Sequence, residues 1–203
     1  MEEYSGAKFQ VIFQKKIIID NPKICELKKW GKKLSDLGFI QHYKNETEPE
    51  RLSSAGNLSF RCDNGFIITA SYSDLANLRD TDFVEVSKAN LHQKKIYVNG
   101  FREPSSETML HYAIYQKRND INAIFHGHGQ KLLRNYEKLG LKSTKYFAPY
   151  GSMQLVNSVI EVLGNENFLI MKYHGFLSLG DTTNNAGKYV EDVYKRLMEI
   201  RVM

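Results

Sequence analysis

Two short apolar runs in this chain each lead into histidine, and this pattern restricts the possible folds more than any other feature. Residues 121–125 run into His126 and His128, and residues 168–171 run toward His174. Because side chains two apart on a strand point to the same face, His126 and His128 can reach one ion. Three imidazoles on two strand ends predict a metal site with one position left open, which is typical of a catalytic zinc rather than a structural one.

The surroundings of these histidines favour the metal site over a structural role. A His-x-His pair also occurs as ordinary strand residues, and the motif alone leaves that alternative open. However, three of the six histidines lie at the ends of apolar runs, where burying an unpaired imidazole would be unfavourable. Both histidine turns contain glycine, which lets a ligand approach closely, at Gly127, Gly129 and Gly175. Glu107, on a predicted helix, could supply a carboxylate.

Composition places the chain among ordinary globular proteins. Its 203 residues are 42% hydrophobic and 25% charged, which predicts one domain over residues 1–203, with residues 1–25 as an N-terminal extension. The acidic start does not resemble a signal peptide, and no run is long enough to cross a membrane. Cys25 and Cys62 have no metal or redox spacing. We therefore expect a cytoplasmic protein without a membrane partner.

The formal net charge of +5 does not predict a nucleic-acid-binding protein. The lysines form separate doublets with acidic residues between them, at 15–16, 28–29, 32–33 and 94–95. A solvated surface accounts for such scattered charges better than a continuous basic stripe does. A mild positive charge also suits an anionic small substrate.

Hydrophobic periodicity predicts short strands interleaved with helices. The predicted strands span residues 10–19, 57–62, 65–69, 83–86, 95–98, 121–126 and 168–173. The predicted helices lie between Pro22 and Gly38 and at 106–117, 130–139, 152–163 and 184–200, and the polar residues 41–52 are predicted to form a mobile surface loop. Antiparallel hairpins flanked by helices predict an α+β fold or a layered α/β/α sandwich.

Three short polar segments between these elements suit the binding of an anion. Residues 53–57 are small and contain a glycine, and residues 69–71 end a strand with two hydroxyls. Residues 104–107 open a helix, where free N–H groups attract negative charge. Each segment alone also fits an ordinary turn or helix cap. Together with the metal motif, the three segments predict a phosphate pocket.

These motifs, in their order along the chain, resemble the class II aldolase/adducin family, which includes zinc-dependent enzymes of sugar phosphates. That family runs from a Gly-Asn turn through a Thr-containing strand end, a Ser-Ser-Glu or Ser-Ser-Asp and a His-x-His to a final His-Gly. The matching segments here are 54–59, 68–71, 104–107, 125–128 and 173–175. The resemblance covers about residues 26–200, and the five elements in sequence are specific, whereas any one alone is weak.

The resemblance implies a role for each matching residue. His126, His128 and His174 would bind Zn²⁺, which Fe²⁺, Co²⁺ or Mn²⁺ could replace, and Glu107 would be the acid/base, able to contact the metal. Six residues would line the substrate phosphate: Gly56, Asn57, Thr69, Ala70, Ser105 and Ser106. The resemblance also implies a single-domain three-layer α/β/α sandwich with a mainly antiparallel central sheet, assembled as a homotetramer.

The implied activity is that of a metal-dependent lyase, an aldolase that cleaves a carbon–carbon bond of a small phosphorylated sugar. Cleavage beside a ketone leaves an enediolate, whose charge a metal can stabilise while Glu107 moves the proton. Two alternatives stay open, a ketose-1-phosphate dehydratase on the same scaffold and a non-catalytic adducin-like interaction module. Glu107 in place of an aspartate favours aldolase or dehydratase chemistry over epimerisation.

The chain departs from the aldolases of this family after the His-x-His motif. The stretch that follows is shorter and lacks the segment that carries their catalytic tyrosine. The candidate substitutes are Tyr136, Tyr146 and Tyr150. His111 lies one helical turn after Glu107 on the same face, where it could hydrogen-bond Glu107 or serve as a structural histidine.

Overall fold

The fold contains one large sheet, one small sheet and five α-helices, as seen in a computed structural model that describes residues 8–45 and 48–200. In chain order the strands are β1 (Gln10–Lys15), β2 (Gln41–Lys44), β3 (Leu52–Ala55), β4 (Asn57–Cys62), β5 (Gly65–Thr69), β6 (Phe83–Asn90), β7 (Lys95–Asn99), β8 (Ala123–Gly127), β9 (Phe168–Met171) and β10 (Gly175–Gly180). The helices are α1 (Ile24–Asp36), α2 (Thr108–Lys117), α3 (Gln130–Asn135), α4 (Met153–Val162) and α5 (Thr183–Glu199).

The large sheet is mostly antiparallel, as the resemblance implied. Its strand order is β1-β7-β6-β5-β4-β8-β10-β9. The edge strand β1 pairs with β7 in parallel, and the other neighbouring pairs are antiparallel. The hairpin predicted at residues 63–65 joins β4 to β5. Strands β4 and β8 lie side by side at the centre, which brings the predicted phosphate turn next to the His-x-His motif.

Hydrophobic side chains form two separate cores, because successive strand residues point to opposite faces. Ile68 and Ile124 belong to one core, together with residues of α2 and α4. Ile67 and Phe125 belong to the other core, together with residues of α1, α3 and α5. The central strands therefore bury both faces, which explains why they read as continuous apolar runs in the sequence.

Two predictions about local structure were wrong. Residues 41–52 were predicted as a loop, but 41–44 form β2, which pairs with β3 from Gln41 opposite Ala55 to Lys44 opposite Leu52. This ribbon is polar because it lies outside the large sheet, so it lacks the apolar alternation that marks a half-buried strand. Residues 46–47 of the predicted loop lie outside the described residues. Strand β10 was missed altogether, although it is buried along its full length.

No helix in the described ranges combines the length and apolar character needed to cross a membrane.

Candidate metal and acid/base site

Three histidine side chains converge where β8 ends and β9 turns into β10. His126 lies in β8, His128 follows directly after it, and His174 lies in the turn. The ring centroids are 4.7 Å apart for His126 and His128, 5.0 Å for His126 and His174, and 5.1 Å for His128 and His174. One nitrogen of each ring lies within 4.8 Å of the others, so the three can share one ion. The structure thus brings together the three histidines that the sequence predicted.

Close backbone approach makes this arrangement possible. Pairing of β8 with β10 places Leu177 opposite His126 and Gly175 beside the end of β8. A Cβ atom on Gly175 would lie 2.4 Å from the carbonyl oxygen of Gly127 and 2.7 Å from Cε1 of His126, so only glycine fits there. The turn also requires Tyr173 in the left-handed region, at a φ of 59°.

The hydrogen bonds of His126 leave a nitrogen available for a metal. Nδ1 of His126 donates to the carbonyl oxygen of Phe176 at 2.9 Å, so Nε2 carries the lone pair. That Nε2 lies 3.0 Å from Nε2 of His128. Nδ1 of His174 is buried without a hydrogen-bond partner in the described part of the chain. The facing nitrogens of His126 and His128 lie close enough together to share a cation.

Glu107, at the N-cap of α2, lies against this cluster with only 4% of its surface exposed. Its carboxylate is 3.0 Å from Nε2 of His126 and 3.4 Å from Nε2 of His174. The amide of Asn57 donates to Oε2 at 2.9 Å. Burial disfavours the charged form, but the two imidazoles and the Asn57 amide outweigh it and lower the pKa of Glu107 below its ordinary value. Glu107 is therefore ionised at neutral pH.

The imidazoles of His128 and His174 are neutral at the same pH. Burial and the neighbouring imidazoles hold the pKa of His128 well below its ordinary value. Burial lowers the pKa of His174 to about 4, against the opposing attraction of Glu107. Neutral imidazoles with a carboxylate form a donor set that suits Zn²⁺ and also accepts other first-row divalent ions.

The three predicted anion-binding segments meet beside the histidines. Asn57 lies opposite His126 in the β4–β8 pair. The hydroxyl of Thr69 accepts from the backbone N–H of Leu58 at 3.2 Å, and the carbonyl of Thr69 accepts from the N–H of Ser105 at 3.1 Å. Gly56 and Ala70 flank these contacts, since Gly56 approaches the His126 carbonyl and Ala70 forms a bridge with Pro104. The predicted phosphate residues, Ser106 included, are thus clustered, and their role remains a prediction.

Sequence reasoning missed a segment that lies against Ser106. Gly151 has a φ of 62°, and a Cβ atom there would lie 2.9 Å from the Ser106 carbonyl oxygen. Gly151 precedes Ser152, the N-cap of α4, whose hydroxyl accepts from the N–H of Leu155 at 3.1 Å. A second helix therefore begins next to the Ser105-Ser106 pair. The signal in the sequence was the Tyr150-Gly151-Ser152 run before an apolar helix.

The three candidate tyrosines have different environments in the structure. Tyr136 donates to the neighbouring Glu137 at 3.2 Å on the surface, and Tyr146 is 49% exposed. Tyr150 adjoins Gly151 and is therefore next to the segment that touches Ser106. The ring centroid of Tyr150 lies 4.3 Å from Nζ of Lys8.

His42 is exposed at the surface, but it lies in a strand rather than in the predicted loop. Its Nε2 lies 2.7 Å from the hydroxyl of Ser35, and its Nδ1 lies 3.5 Å from Oδ1 of Asp74. It belongs to β2 and is separate from the three-histidine cluster.

Sequence comparison relates this chain to a known protein family and to named relatives. The family described as Class II Aldolase and Adducin N-terminal domain matches residues 51–134. An L-fuculose phosphate aldolase of Methanococcus vannielii is 32% identical over 149 residues, covering 66% of this chain and 77% of that protein. A methylthioribulose-1-phosphate dehydratase of Yersinia enterocolitica is 38% identical over 77 residues, covering 37% of this chain and 34% of that protein.

Solved structures share the fold. A sugar-phosphate aldolase from Thermotoga maritima superposes with a TM-score of 0.70 at 20% identity, covering 87% of this chain and 92% of that one. At that identity the likeness concerns the fold alone, whereas the sequence match to the Methanococcus vannielii protein extends over most of a relative's length. The family resemblance drawn from the motifs is confirmed. The chain belongs to the class II aldolase/adducin family.

Proposed function

We propose that this protein is a metal-dependent lyase that cleaves a small phosphorylated sugar by a retro-aldol reaction. The observation that carries the proposal is the contact of one buried, ionised carboxylate with two of three converging imidazoles. The neighbouring anion-binding segments account for a phosphorylated substrate. Relatives named as aldolases of sugar phosphates support the same reaction class.

His126, His128 and His174 would hold the ion, because their nitrogens converge and the hydrogen bond from His126 to the Phe176 carbonyl fixes that ring. A divalent ion bound there supplies a Lewis acid for charge that develops on the substrate oxygens. We take the ion to be Zn²⁺, following the family resemblance and the donor set.

Glu107 would move the proton. Its carboxylate is buried, ionised and held by the Asn57 amide, so it is oriented before a substrate arrives. In the cleavage direction it would accept the proton of the substrate hydroxyl, and it would then return a proton to the carbon of the three-carbon product. Both transfers need a carboxylate that keeps a fixed position beside the histidines.

The phosphate of the substrate would lie on the segments around Thr69 and Ser105-Ser106. Gly56, Asn57 and Ala70 complete this lining. Helices α2 and α4 both begin at this place, and helix N-termini attract anions.

A dehydratase of a ketose 1-phosphate is the second candidate. The local match to the Yersinia enterocolitica dehydratase favours it. So does the short stretch after His128, which lacks the segment that carries the catalytic tyrosine of the aldolases that the chain resembles. A non-catalytic adducin-like module is disfavoured, because the three histidines and Glu107 are retained and in contact.

We further propose the family's three-layer α/β/α sandwich as one domain over residues 1–203, assembled as a homotetramer in the cytoplasm. The two cores on opposite faces of the sheet support the layered arrangement. Tyr146, Phe147 and Tyr173 are exposed large side chains near the His174 turn, which fits an interface close to the site.

The experiment that tests the function compares Glu107→Gln with wild type on a panel of phosphorylated ketoses. We expect turnover to fall by roughly two to four orders of magnitude, the usual contribution of a general base. Metal content should stay near wild type, since the three imidazoles remain. Product analysis separates release of a three-carbon ketone phosphate from loss of water.

Glu103→Gln is the matched control, since Glu103 is an exposed glutamate on the same approach to α2. It should leave turnover unchanged. If wild-type protein retains metal but neither cleaves nor dehydrates any ketose phosphate, the lyase proposal is wrong. If Glu107→Gln loses the metal, Glu107 is primarily a ligand.

A further inference from the structure

A buried ladder of polar side chains joins strand β4 to helix α2. Alternate residues of β4 point to the same face, and residues four apart on α2 lie above one another. The ladder pairs these two rows, with Asn57, Ser59 and Arg61 on the strand and Glu107, His111 and Tyr115 on the helix side. The first rung contains the proposed acid/base, so the ladder leads directly from the candidate site into the core.

The middle of the ladder is completely buried and tightly hydrogen-bonded. The Ser59 hydroxyl lies 2.7 Å from Nδ1 of His111 and 2.7 Å from the Tyr115 hydroxyl. Ser59 and His111 are 0% exposed and Tyr115 is 2% exposed. Arg61 closes the far end, since its guanidinium stacks 4.6 Å from the Tyr115 ring centroid and donates to the Tyr115 carbonyl at 2.9 Å. Side chains held this firmly have one defined arrangement of protons.

The proton arrangement follows from counting donors and acceptors. Burial raises the pKa of Tyr115, so the phenol keeps its proton, and burial lowers the pKa of His111 to about 3, so the imidazole is neutral. If Tyr115 donates to Ser59 and Ser59 donates to Nδ1, both hydroxyl protons are satisfied and His111 carries its own proton on Nε2. The opposite direction would leave the Tyr115 proton buried without an acceptor, which is unfavourable.

With this proton arrangement, Nε2 of His111 is a hydrogen-bond donor, and Oε1 of Glu107, one helical turn away, is an acceptor. Nε2 of His111 is buried without a hydrogen-bond partner among the described residues, and Oε1 of Glu107 accepts no hydrogen bond there, although it lies 3.4 Å from Nε2 of His174. With its proton on Nε2, His111 offers a donor, and Oε1 is an acceptor. The two atoms are not hydrogen-bonded to each other in this structure, so a rotation of either side chain or a bridging water is needed to join them.

We propose that His111 is a positioning residue for Glu107, with Tyr115 and Ser59 fixing the tautomer that presents an Nε2–H donor to the carboxylate. This inference rests on the proposed function, because it assigns His111 to the acid/base of that reaction. A donor on the Oε1 side complements Asn57 on the Oε2 side, so that both oxygens are oriented. The ladder thereby restricts the carboxylate to one plane.

The tautomer is measured directly by NMR of protein labelled with ¹⁵N-histidine, which distinguishes a protonated from a bare ring nitrogen without any turnover. We expect His111 to show a proton on Nε2 and a bare Nδ1 across the neutral pH range. In Ser59→Ala the donor to Nδ1 is lost, so the second tautomer should become populated. A wild-type His111 protonated on Nδ1 would overturn the proposal.

Kinetics then test the coupling to Glu107. Ser59→Ala and Tyr115→Phe should lower kcat by about 10-fold, in the range for partners that orient a site residue, with KM within about twofold. His111→Gln keeps an N–H donor near the Nε2 position and should retain more kcat than His111→Leu. Equal loss in the Gln and Leu variants would show that His111 only fills space, and would overturn the proposal.

Ser158→Ala is the matched control, because Ser158 is a buried serine whose hydroxyl donates to the Leu155 carbonyl within α4. Its kcat should remain that of wild type. Thermal melting of each variant establishes that it is folded, and Tyr115→Phe, which keeps the ring, substitutes for Ser59→Ala if the latter is not. Absence of wild-type turnover together with the Nε2–H tautomer would instead refute the proposed function and leave the tautomer assigned.

Discussion

Replacing Asp82 with asparagine should destabilise the protein and loosen the predicted phosphate pocket together. Asp82 is fully buried and accepts four hydrogen bonds, two of them from the guanidinium of Arg51. Arg102 donates to Oδ1 at 2.7 Å, and the backbone N–H of Arg79 donates to Oδ2 at 2.9 Å. One carboxylate therefore connects three segments that are distant in sequence.

These segments carry the predicted phosphate residues. Arg51 directly precedes β3, and Arg102 lies three residues before Ser105. The backbone carbonyl of Asp82 accepts from the N–H of Ala70 at 2.8 Å. Arg102 also donates to the Ser71 carbonyl at 3.2 Å. Loss of the Asp82 charge should therefore shift the segments that surround the substrate phosphate.

The magnitude follows from the burial of the pair. Removing one partner of a buried ion pair costs about 3–5 kcal/mol, because the other charge is left uncompensated. Arg102 keeps a contact of 3.3 Å with Glu48, and asparagine retains one acceptor oxygen, so we expect the low end, about 3 kcal/mol. For a domain of this size that corresponds to a decrease in Tm of about 6–12 °C.

Chemical denaturation of wild type and Asp82→Asn at several pH values is the assay. Burial raises the pKa of Asp82. The hydrogen bonds from Arg51 and Arg79 and the charge of Arg102 lower it by more than burial raises it, so the pKa lies below its ordinary value of 3.8. A depressed folded-state pKa stabilises the protein above the unfolded pKa, and this stabilisation is lost as the pH falls through the folded value. The difference between the two proteins should be constant from about pH 5 to 8 and shrink below about pH 4.

Asp80→Asn is the control, since Asp80 is exposed and pairs with Lys28 at the surface. Its effect on the free energy of unfolding should stay within about 0.5 kcal/mol. Equal stability of Asp82→Asn and wild type at pH 7, or a difference that grows on acidification, would refute the assignment of Asp82 as the connecting carboxylate.

Two further predictions concern the site itself. Alanine at both His126 and His128 should abolish retention of the roughly one divalent ion per chain that we expect, measured by elemental analysis, and stoichiometric metal in that variant would contradict the ligand assignment. Ser106→Ala should raise KM about tenfold with little change in kcat, as for loss of a hydrogen bond to a charged group. Inhibition by inorganic phosphate should weaken in parallel, and unchanged inhibition would exclude Ser106 from the phosphate pocket.

The elements predicted correctly from sequence are those whose own residues carry the signal. Strand β8 is a continuous apolar run, the hairpin between β4 and β5 has an Asp-Asn-Gly turn, and α5 has helical periodicity. β2 was missed because a polar strand outside the main sheet has no apolar face to mark it. β10 was missed because its glycine ends and mixed interior resemble a connecting segment, although its backbone pairs on both sides with β8 and β9.

The same distinction between local and long-range signals applies to the residues of the candidate site. The histidines and Glu107 belong to motifs with a fixed local spacing, so the sequence displays them. The contacts of Asp82 with Arg51 and Arg102, and those of Ser59 with His111 and Tyr115, join residues 20 to 56 positions apart, and their spacing follows from strand register and helix packing. No local pattern encodes such contacts, so a single sequence does not reveal them.

The single carboxylate at the histidine cluster also distinguishes the two candidate reactions. Among the described residues, Glu107 is the one carboxylate within ion-pair distance of His126 or His174. Retro-aldol cleavage needs one base, because the proton taken from the hydroxyl can return to the product carbon. Dehydration also needs an acid for the departing hydroxyl. If Glu107 serves as both, the hydrogen removed and the hydroxyl lost must lie on the same face of the substrate, so a dehydratase built on this site would carry out a syn elimination.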